Sequence, residues 1–147
     1  MIKKIRLFVF ALFMTSLAAA QNNTGQILLG KKTFGTHWIR PYGIATISKV
    51  NDSILIQGSQ VSGTNYCNIN GTIQIIDDRN FEFNGAISLK YLFDRNNLLT
   101  EDKDEKVLTG KFIFRRIKDR KYWRLKQPLS ATGYFDKAYH YIDVFIN

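Results

Sequence analysis

Apolar and polar residues alternate with a period of two in the middle of the chain. In the segment FEFNGAISLK, residues 81–90, apolar or small side chains occupy the odd positions, and in CNINGTIQI, residues 67–75, they do so again. Because successive side chains of a β-strand point to opposite faces of a sheet, each segment is predicted to be a strand with one buried face.

The pairing of these two strands follows from the requirement that their buried faces coincide. A two-residue turn at Asn84-Gly85 would place Phe81 opposite Ser88, which sets an apolar side chain against a polar one. A three-residue turn at residues 77–79 instead pairs Ile75 with Phe81, and every inward residue then meets another inward residue. We therefore predict an antiparallel hairpin with its turn at residues 77–79.

The same matching of buried faces extends to the two preceding strands. Turns at residues 51–52 and 63–64 place small or apolar residues opposite one another, and the small residues of four strands then run diagonally across the sheet. Such residues permit the sharp coiling that a closing sheet requires. We therefore predict a barrel, with a twisted β-sandwich as the alternative. The small residues are Ala45, Gly58, Gly71 and Gly85.

The remainder of the chain completes the same type of fold. A charged loop is expected at residues 94–108, followed by a hairpin of residues 111–117 and 122–126 and by a terminal strand at residues 139–146. No long segment has the 3.6-residue period of a helix. The predicted fold class is all-β: an antiparallel up-and-down meander of about seven or eight strands that closes into a small barrel.

One short segment bears on the type of barrel. Gly35-Thr36-His37-Trp38 lies near the expected start of the domain and is one residue longer than the Gly-x-Trp motif of lipocalins. In outline the chain resembles the lipocalin and avidin architectures, and this resemblance implies a single barrel that holds a small ligand. It is a resemblance of architecture, and it assigns no ligand-binding residue to this chain.

The first twenty residues have the pattern of a signal peptide. Lys3, Lys4 and Arg6 precede an apolar stretch at residues 7–20, which ends in three alanines. As a helix this stretch would be about 21 Å long, shorter than the roughly 30 Å hydrocarbon core, so a transmembrane anchor is not expected. We expect cleavage before Gln21, a single domain at residues 21–147, and a periplasmic or secreted protein.

Composition limits the chemistry that the protein has at its disposal. The chain has 147 residues, one cysteine and two histidines, which excludes an intramolecular disulfide and disfavours a metal site of thiolates or imidazoles. The motifs of serine hydrolases, phosphate-binding loops and zinc peptidases do not occur. Cys67 has the inward parity of its strand and is expected to be a small buried hydrophobic residue. We predict a non-enzymatic protein with no cofactor and no metal.

The strongest chemical signal is a basic, aromatic hairpin. Residues 111–126 (KFIFRRIKDRKYWRLK) contain eight Lys or Arg residues against one Asp, in a chain whose formal net charge is +9. A turn centred on Asp119-Arg120 pairs the two strands from Phe114–Leu125 as far as Ile117–Tyr122 and places Arg115 opposite Arg124. Like charges directly across a strand pair are unfavourable unless an anion or an acidic side chain lies between them.

Two interpretations of this hairpin remain open. In the first, Arg116 covers the ring of Trp123, Asp143 of the terminal strand neutralises Arg124, and the other cations form a solvated face. In the second, the hairpin binds an anionic small molecule, an envelope polymer or an acidic protein surface. The ligand-binding residues are then Arg115, Arg120, Lys121, Tyr122 and Arg124.

These features predict an exported binding protein that recognises a small anionic or amphipathic ligand, or an acidic envelope component, through the barrel mouth and the basic hairpin. The alternative is a protein-interaction module, such as an inhibitor or an envelope assembly factor, and a small hydrolase is the third candidate. Nucleic acid is not expected as a partner of an exported chain. A cavity inside the barrel would favour a small ligand, whereas a filled barrel with an exposed basic ridge would favour a protein partner.

Overall fold

The computed structural model describes residues 24–93, 99–100, 105–126 and 141–146. The predicted signal peptide and the first residues of the predicted terminal strand lie outside this part of the chain. Residues 24–28 form a short helical segment, and no helix in the described ranges has the length and apolar character needed to cross a membrane. The strands are β1 (Gly30–Thr36), β2 (Gly43–Val50), β3 (Ser53–Ser62), β4 (Asn65–Ile75), β5 (Asn80–Lys90), β6 (Leu92–Phe93), β7 (Leu99–Thr100), β8 (Lys106–Arg115), β9 (Tyr122–Leu125) and β10 (Ile142–Phe145).

Eight of these strands form one closed antiparallel barrel, in the order β1-β10-β9-β8-β5-β4-β3-β2. The last strand closes it, because β10 pairs with β1, where Val144 lies opposite Phe34, and also with β9. β6 and β7 pair with each other in a separate two-stranded sheet. The prediction of an all-β, up-and-down barrel is confirmed, and the sandwich alternative is wrong.

The predicted registers of the first hairpins are also confirmed. Ile75 lies opposite Phe81 and Gly71 lies opposite Gly85, and the row of small residues continues onto β8, where Gly110 lies opposite Gly85. A Cβ atom on Gly85 would lie 2.2 Å from the Asn70 carbonyl oxygen and 2.6 Å from the Gly71 Cα, so this crossing requires residues without side chains. The close approach of β4 and β5 lets the sheet coil tightly enough to close.

The segment predicted as a charged loop, residues 94–108, is partly strand. Leu99–Thr100 forms β7, and β8 already begins at Lys106, five residues before the predicted start of the hairpin. The reason is pairing with β5, since Leu108 lies opposite Ile87 and packs against the core. The charged side chains of this segment obscure the alternation of apolar and polar residues. The strand is instead determined by its pairing with the apolar residues of β5.

The strands of the basic hairpin end earlier than predicted. The β8–β9 ladder contains the predicted pairs Phe114–Leu125 and Arg115–Arg124, but the pairing does not continue to Ile117 and Tyr122. The backbone N–H of Arg116 instead donates to the Arg79 carbonyl oxygen at 2.7 Å, and a turn closes with the Arg120 N–H donating to the Ile117 carbonyl at 3.0 Å. The β8–β9 turn therefore spans residues 116–121.

The interior of the barrel is packed with large apolar side chains. Phe81 and Phe114 stack with ring centroids 4.9 Å apart, Trp123 contacts Phe81 at 6.0 Å, and all three are fully buried. Phe34 and Phe83 fill the space beside them, and branched aliphatic residues of every long strand complete the core. Burial of this apolar surface is the main stabilising contribution to the fold.

An antiparallel meander brings alternate turns to the same end of a barrel. The β2–β3, β4–β5 and β8–β9 turns therefore lie together at one end, and β1 begins there as well. We call this the basic end. The β1–β2 and β3–β4 turns lie at the opposite end.

Candidate functional site

Two turns at the basic end lie side by side because β5 and β8 are neighbours in the barrel. The β4–β5 turn is built around Asp77, whose Oδ1 atom accepts hydrogen bonds from the backbone N–H groups of Arg79 and Asn80, each at 2.8 Å. The β8–β9 turn is tied to it twice through Arg116: the backbone N–H contacts Arg79, and the guanidinium donates to the Asp78 carbonyl oxygen at 3.3 Å. The relative position of the two turns is therefore held by one backbone–backbone hydrogen bond and one hydrogen bond from the Arg116 side chain.

Between these turns lies an open groove of about 580 Å³. Seven of its eight lining residues are charged, five positively and two negatively, which gives a net charge of +3. Asp78 compensates little of this positive charge, because its ion pair with Arg79 is 3.9 Å long and both side chains are more than half exposed. We call this the basic groove; its lining residues are Asp78, Arg79, Arg116, Lys118, Asp119, Arg120, Lys121 and Ile146.

A second groove on the wall of the barrel differs in charge. It has about 470 Å³ and is bordered by Asp52, Glu82 and Lys111 together with polar and apolar residues of β3, β4 and β5. Lys111 is paired with Glu82 at 3.1 Å, so its charge is compensated locally. Of the two grooves, the one at the basic end is therefore the site at which an anion would be favoured.

The structure separates the five residues predicted to bind a ligand. Arg120 and Lys121 line the basic groove. Arg115, Tyr122 and Arg124 instead lie on the outer wall, at the outward positions of β8 and β9. Arg120 connects the two places, since its Nη1 atom is hydrogen bonded to the Tyr122 hydroxyl and its guanidinium lies over the Tyr122 ring.

Arg124 is bound to an acidic residue of the protein itself. Its Nε and Nη2 atoms donate to the two carboxylate oxygens of Asp143, each at 2.7 Å, and the guanidinium lies between the rings of Tyr122 and Tyr141. The hydrogen bonds to Asp143 raise the pKa of Arg124, because they favour its charged form. Asp143 is 1% exposed, so the guanidinium compensates a buried charge. This ion pair is the one expected in the first interpretation of the hairpin, in which Asp143 neutralises Arg124.

Arg115 lies directly opposite Arg124 and is exposed. Its charge acts on Asp77 of the neighbouring turn. Partial burial raises the pKa of that carboxyl, but the hydrogen bonds from Asn80 and Arg79, together with the charge of Arg115, outweigh this effect and lower the pKa. The two facing arginines thus have acidic neighbours within the protein, Asp143 for one and Asp77 for the other.

Three cations of the basic groove were not among the predicted binding residues. Arg116 was expected to cover Trp123, and its guanidinium does lie 5.5 Å from that ring centroid while also lining the groove. Lys118 is one of the eight basic residues of the hairpin, and no binding role was predicted for it. Arg79 belongs to a different hairpin, and the pairing of β5 with β8 that brings it here is not visible in the local sequence pattern.

Aromatic side chains extend along the outer wall from Arg124 toward the opposite end. His37 stacks on Tyr141 with centroids 4.4 Å apart, and Trp38 contacts the edge of the same ring at 5.8 Å. Burial lowers the pKa of His37; Asp143 opposes this effect, and the charges of Arg124 and Arg40 add to it. His37 is therefore part of an aromatic cluster beside the Arg124–Asp143 ion pair.

Cys67 lies on β4 opposite Leu89 and is fully buried, as predicted. Burial raises the pKa of its thiol far above the usual range, which makes it a poor nucleophile. Within the described ranges, His, Cys, Asp and Glu residues form no group of three that could hold a metal ion.

The fold and the groove together define a class: a closed eight-stranded antiparallel barrel with a packed interior and a basic groove between two turns at one end. Residues 16–146 match the model of the PM1083 family, and the chain belongs to that family. It is 32% identical over 121 residues to a protein of Pasteurella multocida (strain Pm70) named "Uncharacterized protein PM1083"; the match covers 80% of this chain and 72% of that protein. No solved structure matches the chain significantly.

Proposed function

We propose that this protein is a non-enzymatic binding protein that recognises an anionic partner in the basic groove. One observation carries the proposal: five cationic side chains from two separate hairpins converge on one groove against two carboxylates. Uncompensated cations that are held close together repel one another, and an anion lying between them relieves this repulsion.

The packed interior supports a site at the surface. Trp123, Phe81 and Phe114 occupy the barrel interior at the level of the basic hairpin and leave their rings in contact with one another. Lipocalin-like binding inside a barrel requires a cavity, and at the basic end this space is occupied by the three rings. The amphipathic ligand expected from the architecture is therefore replaced in our proposal by a partner that contacts the turns.

The protein-interaction module is the second candidate. It is favoured by the same filled interior together with the exposure of Lys118, Arg120 and Lys121, which would present a charged ridge to an acidic protein surface. We further propose that the protein acts in the periplasm or outside the cell, on the basis of the signal-peptide pattern of residues 1–20.

Titration calorimetry with tripolyphosphate at low ionic strength tests the anion-binding proposal. In the variant Lys118→Ser/Lys121→Ser we expect the affinity to fall by about tenfold or more, and in the wild-type protein we expect it to decrease steeply with added NaCl. Both lysines are exposed, so their removal should leave the fold intact.

The matched control is Lys90→Ser/Lys126→Ser, which changes the net charge by the same amount. Lys90 lies opposite Tyr66 near the β3–β4 turn, and Lys126 follows β9 away from the groove. If both double variants weaken binding equally, the effect belongs to the overall charge and the groove is not the site. If the wild-type protein does not bind tripolyphosphate at all, the proposed function is wrong.

A further inference from the structure

The basic end carries exposed aliphatic side chains as well as cations. Val50 precedes the β2–β3 turn, Ile76 begins the β4–β5 turn and Ile117 lies in the β8–β9 turn, with exposed fractions of 49%, 43% and 54%. Each of the three turns at this end therefore presents one aliphatic side chain to solvent. Exposed aliphatic residues also lie near the opposite end, among them Ile44 and Val61, so the feature that distinguishes the basic end is the combination of such residues with cations.

The cations stand next to these aliphatic residues in the chain and in space. Ile117 is followed at once by Lys118, and Arg120 and Lys121 complete the same turn. Ile76 is separated from Arg79 by Asp77 and Asp78; Asp77 is engaged by the backbone of its own turn, and Asp78 is the weak partner of Arg79. The excess of positive charge is therefore concentrated on the β8–β9 turn, beside the exposed side chain of Ile117, whereas the β2–β3 turn carries Asp52.

The shape of this surface distinguishes between anionic partners. A small anion bound in the basic groove contacts the residues that line it and leaves the exposed side chains of Ile76 and Ile117, which are not among them, without a role. A flat surface that approaches the β4–β5 and β8–β9 turns from outside can contact both isoleucines together with the cations of the β8–β9 turn. The boundary between headgroups and acyl chains of a bilayer is such a surface, and it accepts aliphatic tips and attracts Lys and Arg when its lipids are anionic.

We propose that the basic end docks on the surface of an anionic phospholipid bilayer, with Lys118, Arg120 and Lys121 at the headgroups and Ile76 and Ile117 in the interfacial layer. This inference rests on the proposed function, because it names the anionic partner of the basic groove as lipid phosphate. The barrel stands on the bilayer and does not enter its hydrocarbon core.

Sedimentation with lipid vesicles tests the inference on the chain from Gln21 onward, the form expected after cleavage of the signal peptide. We expect binding to vesicles of phosphatidylglycerol and phosphatidylcholine (3:7) that is at least about twentyfold stronger than binding to phosphatidylcholine alone. In Lys118→Ser/Lys121→Ser, binding to the anionic vesicles should fall by about twenty-five-fold, since each cation near such a surface contributes about a factor of five.

The aliphatic residues provide the decisive comparison. Ile76→Ser/Ile117→Ser should weaken vesicle binding by about tenfold and leave the affinity for tripolyphosphate unchanged. Its matched control is Ile44→Ser/Val61→Ser, which removes two residues of 59% and 58% exposure from the outer wall near the opposite end and should bind vesicles like the wild type. Every variant starts at Gln21, because the basic and apolar residues 1–20 would bind anionic vesicles by themselves, so differences among variants report on the basic end.

Failure of the inference is distinguishable from failure of the proposed function. If the wild-type protein binds tripolyphosphate but not anionic vesicles, or if the isoleucine variant binds vesicles undiminished, bilayer docking is wrong and the groove is still an anion site. If hexaglutamate binds and the isoleucine variant loses that binding, the partner is an acidic protein segment and bilayer docking is again wrong. If the wild-type protein binds neither tripolyphosphate nor anionic vesicles, both proposals are wrong.

Discussion

At the level of single residues, the Arg124–Asp143 ion pair is a contact within the barrel wall and lies outside the basic groove. Asp143 is almost completely buried on β10, and both of its carboxylate oxygens are bound by one guanidinium that also contacts two tyrosine rings. A buried charge is tolerated when its partner is present and becomes costly when the partner is removed. Arg124 is therefore needed for the junction of β9 and β10, which is where the barrel closes.

Replacing Arg124 by Ser should lower the free energy of unfolding by about 2 to 3 kcal/mol, because the buried carboxylate of Asp143 would lose its only strong partner among the described residues. Urea denaturation monitored by circular dichroism measures the change. The control is Arg115→Ser on the facing strand, which is exposed and should change the stability by less than about 0.5 kcal/mol. Equal effects of the two substitutions would show that the ion pair does not stabilise the fold.

A second residue-level prediction concerns His37 and pH. Its pKa in the folded protein is lower than the ordinary value of 6.5 because burial disfavours the charged imidazole. Between these two pKa values the unfolded chain binds more protons than the folded one. The stability contributed by neutral His37 is therefore complete above pH 6.5 and is lost as the pH falls through the folded pKa.

We expect the free energy of unfolding of the wild-type protein to decrease from about pH 6.5 downward more steeply than that of His37→Gln. The other histidine, His140, is present in both proteins, so the difference between the two curves belongs to His37. Urea denaturation at several pH values between about 4.5 and 7.5 measures both curves. Parallel curves would contradict the role of burial at this site.

At the level of the elements, the crossing of β4 and β5 determines the curvature of the sheet. Gly71 and Gly85 lie opposite each other, and a Cβ atom on either would overlap the backbone of the other strand. The strands themselves could be predicted from alternation, and their register from the coincidence of buried faces, because a slip of one residue would turn every core side chain outward. The same rule failed for the start of β8, where charged residues obscure the alternation.

Gly85→Ala should destabilise the protein by about 2 kcal/mol or more, since its Cβ atom would collide with the Asn70 carbonyl oxygen and the Gly71 Cα, which are backbone atoms that cannot turn aside. Thermal unfolding followed by circular dichroism is the measurement. The matched control is Gly25→Ala in the short helical segment, where a Cβ atom meets nothing within 4 Å and alanine favours the helix. A wild-type melting temperature for Gly85→Ala would refute the close approach of the two strands.

At the level of the whole molecule, the sequence revealed the chemistry of the candidate site more completely than its location. The basic hairpin stands out in the chain, and the pairing of Arg115 with Arg124 follows from its turn. The groove, however, also needs Arg79, which is about forty residues away and arrives only because β5 pairs with β8 across an intervening segment. Convergence of distant turns depends on strand order, and strand order is not encoded in any local pattern.

The same dependence explains why the hairpin alone leaves the role of Arg124 open between ligand binding and an ion pair. Its alternative partner, Asp143, was visible as an outward acidic residue of the last strand, but whether that strand lies beside β9 is decided only by closure of the barrel. In the closed barrel Arg124 is bound to Asp143, whereas Arg120 and Lys121 of the β8–β9 turn are exposed.

The position of Cys67 affects how the chain behaves in different redox environments. A single thiol on the surface of a protein links two copies covalently when conditions become oxidising. Cys67 points into the packed barrel, where neither a second chain nor a small oxidant has access without unfolding, and its thiolate form is strongly disfavoured. The folded protein can therefore keep an odd number of cysteines and remain free of covalent dimers in a reducing or an oxidising compartment.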